Sequence, residues 1–108
     1  MNFPEPIKKL PLADIPLDGC TANLLQGENQ QVLFMAFTKD VDLPEHSHEA
    51  QWGIVLSGNI TMTIDGNTRT YRSGDNYYIP AGVKHSGTIY AGYSDITYFD
   101  QKDRYKPK

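Results

Sequence analysis

Turn-forming triplets punctuate the second half of the chain so closely that a helix of ordinary length does not fit between them. Asp65-Gly66-Asn67, Ser73-Gly74-Asp75 and Pro80-Ala81-Gly82 each carry the residues that tight turns require. Between them the residues read as strands. Ile60, Met62 and Ile64 alternate with Thr61, Thr63 and Asp65, and Thr68 to Arg72 returns after the Asp-Gly turn, which is the hairpin pattern. Asn76 to Ile79, His85 to Tyr90 and Ile96 to Phe99 are further short strands, and Gln31 to Thr38 is an apolar run suited to a buried one. No stretch has helical periodicity. Strands at intervals of about 8 to 12 residues with turns between them indicate an all-β sandwich or barrel. A barrel this small is filled by side chains or holds one small ligand near its axis.

A chain of 108 residues is the usual size of one domain, so residues 1–108 are expected to share a single core. Four of the seven prolines, Pro4, Pro6, Pro11 and Pro16, fall in the first 20 residues. Proline at that density removes backbone donors, so 1–20 is expected to be an extended arm with at most an edge strand, leaving 31–100 for the barrel. Such an arm often packs across a partner, and a homodimer is expected.

With 10 Lys and Arg against 13 Asp and Glu, the net charge of −3 leaves no basic stripe for a phosphate backbone. Nucleic acid is excluded on that ground, and Lys102, Arg104, Lys106 and Lys108 read as a solubilising tail. No apolar run approaches the roughly 20 residues that cross a bilayer, and the N-terminus lacks a charged-then-apolar signal pattern, so no membrane partner is expected and the reading is cytoplasmic. The single cysteine, Cys20, reads as a small buried hydrophobe with no role.

The chemistry-bearing residues are the histidines. His46 and His48 are one residue apart, so in an extended chain both imidazoles project from the same face, as two ligands to one ion require. Gln51 follows at an odd offset and joins them only if the chain turns or bulges at Glu49-Ala50. His85 opens a later strand and reaches the pair only if the barrel closes. Taken alone, a His-x-His pair is ordinarily two solvated loop histidines, Glu45 and Glu49 are ordinarily solvated carboxylates, and the many tyrosines are ordinarily core or interface.

Two stretches then resemble the cupins. "GDNYYIPAGVKH" has Gly74, five residues, Pro80, one residue, Gly82, two residues and His85, and is similar to that family's second motif. His46-Ser47-His48, Gln51 where the family commonly has glutamate, six residues and Gly58 are similar to the first. Asp40 and Ile89 stand where the family often has glycine and asparagine, and only two residues separate His48 from Gln51 instead of three or four. The resemblance implies a double-stranded β-helix, the jelly-roll barrel, with His46, His48, His85 and Gln51 as ligands of one divalent transition metal: Fe, Ni, Zn, Mn or Cu.

Three imidazoles and an amide are all neutral, so a divalent ion there keeps its full charge and is the stronger Lewis acid. That favours a small oxygenated, anionic ligand or substrate, such as a sugar acid, keto acid or diketone. Some small cupins open or isomerise unsaturated uronates and place a glutamine among three histidines. In that matching an expected acid falls at Ile96, with Tyr98 and Lys102 keeping an aromatic and a basic residue nearby. Metal-dependent dioxygenases, and non-catalytic modules that bind a small ligand, are the alternatives.

Overall fold

The computed structural model describes residues 2–108. Among the described residues the chain forms one helical turn and nine strands: α1 (Glu5–Lys8), β1 (Cys20–Gln26), β2 (Gln31–Phe37), β3 (Val41–His46), β4 (Gln51–Ser57), β5 (Asn59–Ile64), β6 (Asn67–Arg72), β7 (Asn76–Ile79), β8 (His85–Ile89) and β9 (Ser94–Phe99). They build two antiparallel sheets, ordered β1-β2-β9-β4-β7 and β3-β8-β5-β6. From β2 onward, except at the β5–β6 hairpin, each strand lies in the sheet opposite the one before it, which is the jelly-roll path. Among the described residues no helix is long and apolar enough to cross a membrane.

Period-two patterning explains the two layers. Along β2, Gln31, Leu33, Met35 and Phe37 are buried while the residues between them are partly exposed. Leu24, Val55, Ile60, Met62, Ile79, Ile89 and Phe99 join them from the other strands to fill the space between the sheets. At the hairpin, Asp65 and Gly66 both have positive φ, 50° and 79°, the conformation of a type I′ turn. Across it Thr61 bonds Thr70 at 2.9 Å and Thr63 bonds Thr68 at 2.7 Å, so the outer face is stitched by hydroxyls.

The N-terminal segment departs from the expected extended arm. Pro4 and Pro6 suppress no helix, because proline at the start of a helix has no partner to lose. Pro4 is the N-cap, and one turn runs from Glu5 to Lys8. The segment then adds isolated bridges, Leu12 to Asn23 and Ala13 to Pro107. The C-terminal segment folds back beside it, with Asp14 N–H on Lys106 O at 2.7 Å and Lys108 N–H on Leu12 O at 2.8 Å. Gln31 supplies the anchor: its Nε2 donates to Tyr105 O at 2.7 Å and its Oε1 accepts from Tyr105 N–H at 3.1 Å. The basic tail is therefore docked at its middle instead of trailing in solvent.

Gly58 lies between β4 and β5, where the chain leaves one sheet for the other. Its φ is +69°, and a Cβ there would stand 2.7 Å from Tyr93 Cα and 2.8 Å from Gly92 O, both backbone atoms. Gly66 has a similar φ of +79° with nothing within 4 Å. Gly66→Ala is expected to cost about 1 kcal/mol from backbone strain alone, and Gly58→Ala about 2–4 kcal/mol because rigid backbone must also move. Urea unfolding of both variants checks this; equal losses would contradict the close approach at Gly58.

Candidate metal centre

The pairing of β3 with β8 brings two of the histidines together: His46, the last residue of β3, lies opposite His85, the first of β8. Pro44 falls within a register shift between Leu43 and His46, and β3 is an edge strand, where a missing N–H donor is tolerated. His48 lies just beyond the strand, and its carbonyl accepts from Gly82 N–H at 2.9 Å, which ties it to the Pro80-Ala81-Gly82 turn. The imidazole centroids are 4.2 Å apart for His46 and His85, 4.7 Å for His48 and His85, and 5.3 Å for His46 and His48. A candidate ligand nitrogen from each of the three lies within 4.8 Å of the others, so the cluster can hold a metal ion.

The donor set fits such an ion. His46 Nδ1 bonds Pro44 O at 2.7 Å, His48 Nδ1 bonds Glu49 O at 2.7 Å, and His85 Nδ1 bonds Val83 O at 3.0 Å. A carbonyl only accepts, so each Nδ1 carries a proton, and in the neutral imidazole Nε2 is the atom with the lone pair. Orienting carbonyls of this kind are what metal-binding imidazoles ordinarily have behind them. Burial pushes the His48 imidazole down to about 4, opposed by the Glu49 carbonyl and reinforced by Arg104 and the other two histidines. Burial also lowers His85, opposed by the Val83 carbonyl and reinforced by His46 and Arg104.

Gln51 begins β4, and between His48 and Gln51 the chain bends at Glu49 and crosses from the four-stranded sheet to the five-stranded one. The odd offset then loses its meaning, because the two sheets face each other. Gln51 is 9% exposed. It lines the same cavity as the three histidines, and its Nε2 donates to Tyr77 Oη at 3.3 Å. Glu45 and Glu49 are exposed.

The cavity holds about 310 Å³, with walls mostly apolar, among them Ile15, Leu17, Met35, Leu43, Ile60 and Phe99. Two charged side chains interrupt them, and the residue types alone marked neither. Asp95 is 2% exposed, accepts from Tyr93 Oη at 2.6 Å, and is pushed up to about 7 by burial, which outweighs the Tyr93 and Thr97 hydroxyls. It sits one residue before Ile96, where an acid was expected, and unlike Ile96 it faces inward. Arg104 reaches the wall from the docked tail, its guanidinium 4.6 Å from the Tyr105 ring centre and 5.9 Å from that of Phe99. The Phe99 ring lies 5.5 Å from that of His48. Among the described residues Arg104 is in no ion pair, and its Nε has no hydrogen-bond partner. Tyr98 points to the outer face, and Lys102 is exposed.

Residues 34–91 match the cupin domain family. The chain belongs to the cupins. No curated protein matches the sequence significantly. Solved cupins share the fold: an RmlC-like cupin from Shewanella frigidimarina is 22% identical, with 90% of this chain and 87% of that one aligned at a TM-score of 0.76. KdgF from a Halomonas species is 17% identical over 84% and 87% of the two chains, TM-score 0.71. A variant of oxalate decarboxylase from Bacillus subtilis is 21% identical over 89% of this cupin but 28% of its own length, TM-score 0.73. Mn(II) centres are described in that enzyme.

Burial gives two titrating groups of the cavity, His48 and Asp95, opposite contributions to stability. His48 is depressed from 6.5 to about 4, so its contribution is full above pH 6.5 and is lost as pH falls toward 4. Asp95 is raised from 3.8 to about 7, so its contribution is full below pH 3.8 and is lost as pH rises through 7. Between pH 4 and 6.5 the slopes oppose each other. Asp95→Asn removes one of them, so the urea midpoint of the metal-free variant is expected to climb with pH across that window more steeply than the wild type's. Parallel pH profiles would contradict the burial-raised carboxyl.

Proposed function

We propose that this cupin is a metal-dependent enzyme acting on a small anionic, oxygenated metabolite, with His46, His48, His85 and Gln51 as ligands of one divalent ion. The observation that carries the reading is the convergence of three Nδ1-anchored imidazoles on a cavity whose wall also carries an arginine without a carboxylate partner. A bound Fe, Ni, Zn, Mn or Cu ion would supply Lewis acidity to a carbonyl or carboxylate oxygen. The protein's own residues do the rest. Carbonyl-anchored imidazoles offer Nε2 as the ligand atom, the apolar walls exclude water, and Arg104 pairs with an anionic group of the ligand through its planar fork of donors. Unsaturated uronates combine a carboxylate with enolisable oxygen and suit a cavity lined by both an arginine and the histidine cluster, which accords with the resemblance to uronate-acting small cupins.

Protein purified without an affinity tag is expected to hold one metal per chain by elemental analysis, and His48→Ala to weaken metal binding by about 100-fold or more. With metal restored, Arg104→Gln is expected to raise KM for an unsaturated uronate by about tenfold while kcat changes less, the mark of a lost ground-state ion pair. Turnover of diketones with oxygen but not of uronates would instead make the protein a dioxygenase. Micromolar binding without turnover would make it a ligand-binding module, and absence of metal in both proteins would overturn the metal reading.

We further propose a homodimer through the outer face of the five-stranded sheet. Leu25, Val32, Tyr98, Trp52 and Tyr78 lie opposite one another in register across all five strands. Leu25, Tyr98, Trp52 and Tyr78 are 38–58% exposed, and the row carries no charge. A two-fold axis passing over Tyr98 lays this row against the same row of a second copy, the requirement of an isologous contact. Phe3 of the N-terminal segment already packs edge-on against Phe34 on the same sheet, 5.8 Å between ring centres. Sedimentation equilibrium is expected to give a dimer for the wild type and a monomer for Trp52→Lys; a monomeric wild type would contradict the proposal.

A further inference from the structure

Gln31 is 1% exposed, and its amide is fully used. One NH2 proton goes to Tyr105 O at 2.7 Å and the other to Gln26 Oε1 at 2.8 Å, while its Oε1 accepts from Tyr105 N–H at 3.1 Å. The amide thus pairs with both polar groups of one backbone residue, as a neighbouring strand would. Gln26 lies opposite Gln31 in the β1–β2 ladder. Its Nε2 donates to Lys102 O at 3.0 Å and to Gly27 O at 2.9 Å. Two glutamines therefore hold the tail, one at Lys102 and one at Tyr105.

Arg104 lies between those two points and has no polar anchor of its own. Among the described residues it is in no ion pair, and its Nε is buried without a partner. Its guanidinium is placed by packing on Tyr105, 4.6 Å from the ring centre, and the Tyr105 ring in turn stands edge-on to Phe99 at 5.8 Å. Phe99 connects the tail with the metal centre. It pairs with Gln31 of β2 on one side and with Gln51 of β4 on the other, and all three are buried. Gln31 and Gln51 are thus two strand spacings apart, about 10 Å, with Phe99 between them. The Phe99 ring is 5.5 Å from that of His48 and 5.9 Å from the Arg104 guanidinium, so a ligand lying against it is within reach of both.

We propose that Gln31, supported by Gln26, is a positioning residue for Arg104: by holding the backbone at Tyr105 and Lys102 it keeps the guanidinium on the cavity wall and so sets the preference for an anionic ligand. This rests on the reading of Arg104 as the anion's partner and adds what keeps it in place. The tail also carries Lys102, Lys106 and Lys108, and a cationic head released from its packing is better solvated in water than beside an apolar wall. The next ties of the tail, to the N-terminal segment, lie at Lys106, Pro107 and Lys108, beyond Arg104. The hold nearest the guanidinium is the one made by the glutamines.

The test uses two readouts on the full chain. Trypsin cleavage after Arg104, followed by mass, reports opening of the tail with no ligand present, because cleavage tracks the open population. Gln31→Met keeps the length of the side chain and loses its three bonds, and is expected to speed cleavage by about tenfold or more. Calorimetry with glucuronate and with its uncharged methyl ester, in protein supplied with zinc, reads the preference for the anion. Arg104→Gln and Gln31→Met are each expected to cut that preference by about tenfold, and the double variant by no more than Arg104→Gln alone. Gln26→Ala, at the exposed end of β1, is expected to change both readouts by about threefold and carries the test should Gln31→Met fail to fold. Cleavage at the wild-type rate in the glutamine variants would overturn the clamp. Equal losses for glucuronate and its ester, or a loss that persists in the Arg104→Gln background, would overturn the positioning role. A wild type that prefers glucuronate no more than Arg104→Gln does would overturn the reading of Arg104 itself, leaving the cleavage rates to judge the clamp separately.

Discussion

The site depends on the register of β3 against β8. That pairing sets His46 opposite His85 at the rim of the four-stranded sheet, and the Gly82 N–H bond to the His48 carbonyl folds the third imidazole in beside them. A slip of one residue would send His46 to the outer face, because strand side chains alternate. The ladder alone could not specify the nitrogens. Three backbone carbonyls, those of Pro44, Val83 and Glu49, do so by occupying each Nδ1.

The second constraint is that the chain changes sheets between His48 and Gln51. The crossing converts an awkward spacing into two walls of one cavity and leaves a polar cluster at the end of an otherwise apolar space. Burial there disfavours charge in both directions: it depresses the His48 and His85 imidazoles and raises the Asp95 carboxyl. Neutral donors that shed no proton near neutral pH are suited to a cation. The fixed positive charge on the cavity wall is Arg104, held in place by the Gln31 clamp on the tail, and this cation beside the imidazole donors favours anionic ligands.

Much of this was legible in the residues and some was not, for identifiable reasons. The β5–β6 hairpin could be read because Ile60, Met62 and Ile64 alternate with polar residues before an Asp-Gly turn and Thr68 to Arg72 returns after it. His46, His48 and His85 could be read because their spacing to Gly58, Gly74, Pro80 and Gly82 is specific. Strand β3 was hidden by Pro44 and two acids, which an edge strand tolerates. Strand β1 was hidden by Asn23, which lies on the outer face with Leu25 and is covered there by the N-terminal segment, donating to the Leu10 carbonyl at 3.0 Å, an arrangement only that folded segment creates. Asp95 and Arg104 escaped because a carboxylate and a basic tail ordinarily face water. Their burial depends on Tyr93 and on Gln31, contacts made by folding and absent from any local pattern.

The central claim is that three imidazoles hold one ion through their Nε2 atoms. Anomalous diffraction from crystals grown with zinc tests it most directly. The expected result is a single peak bonded to Nε2 of His46, His48 and His85 at about 2.0–2.1 Å, with each Nδ1 still on its backbone carbonyl. No peak at the cluster, or bonding through Nδ1 with the carbonyls released, would contradict the account.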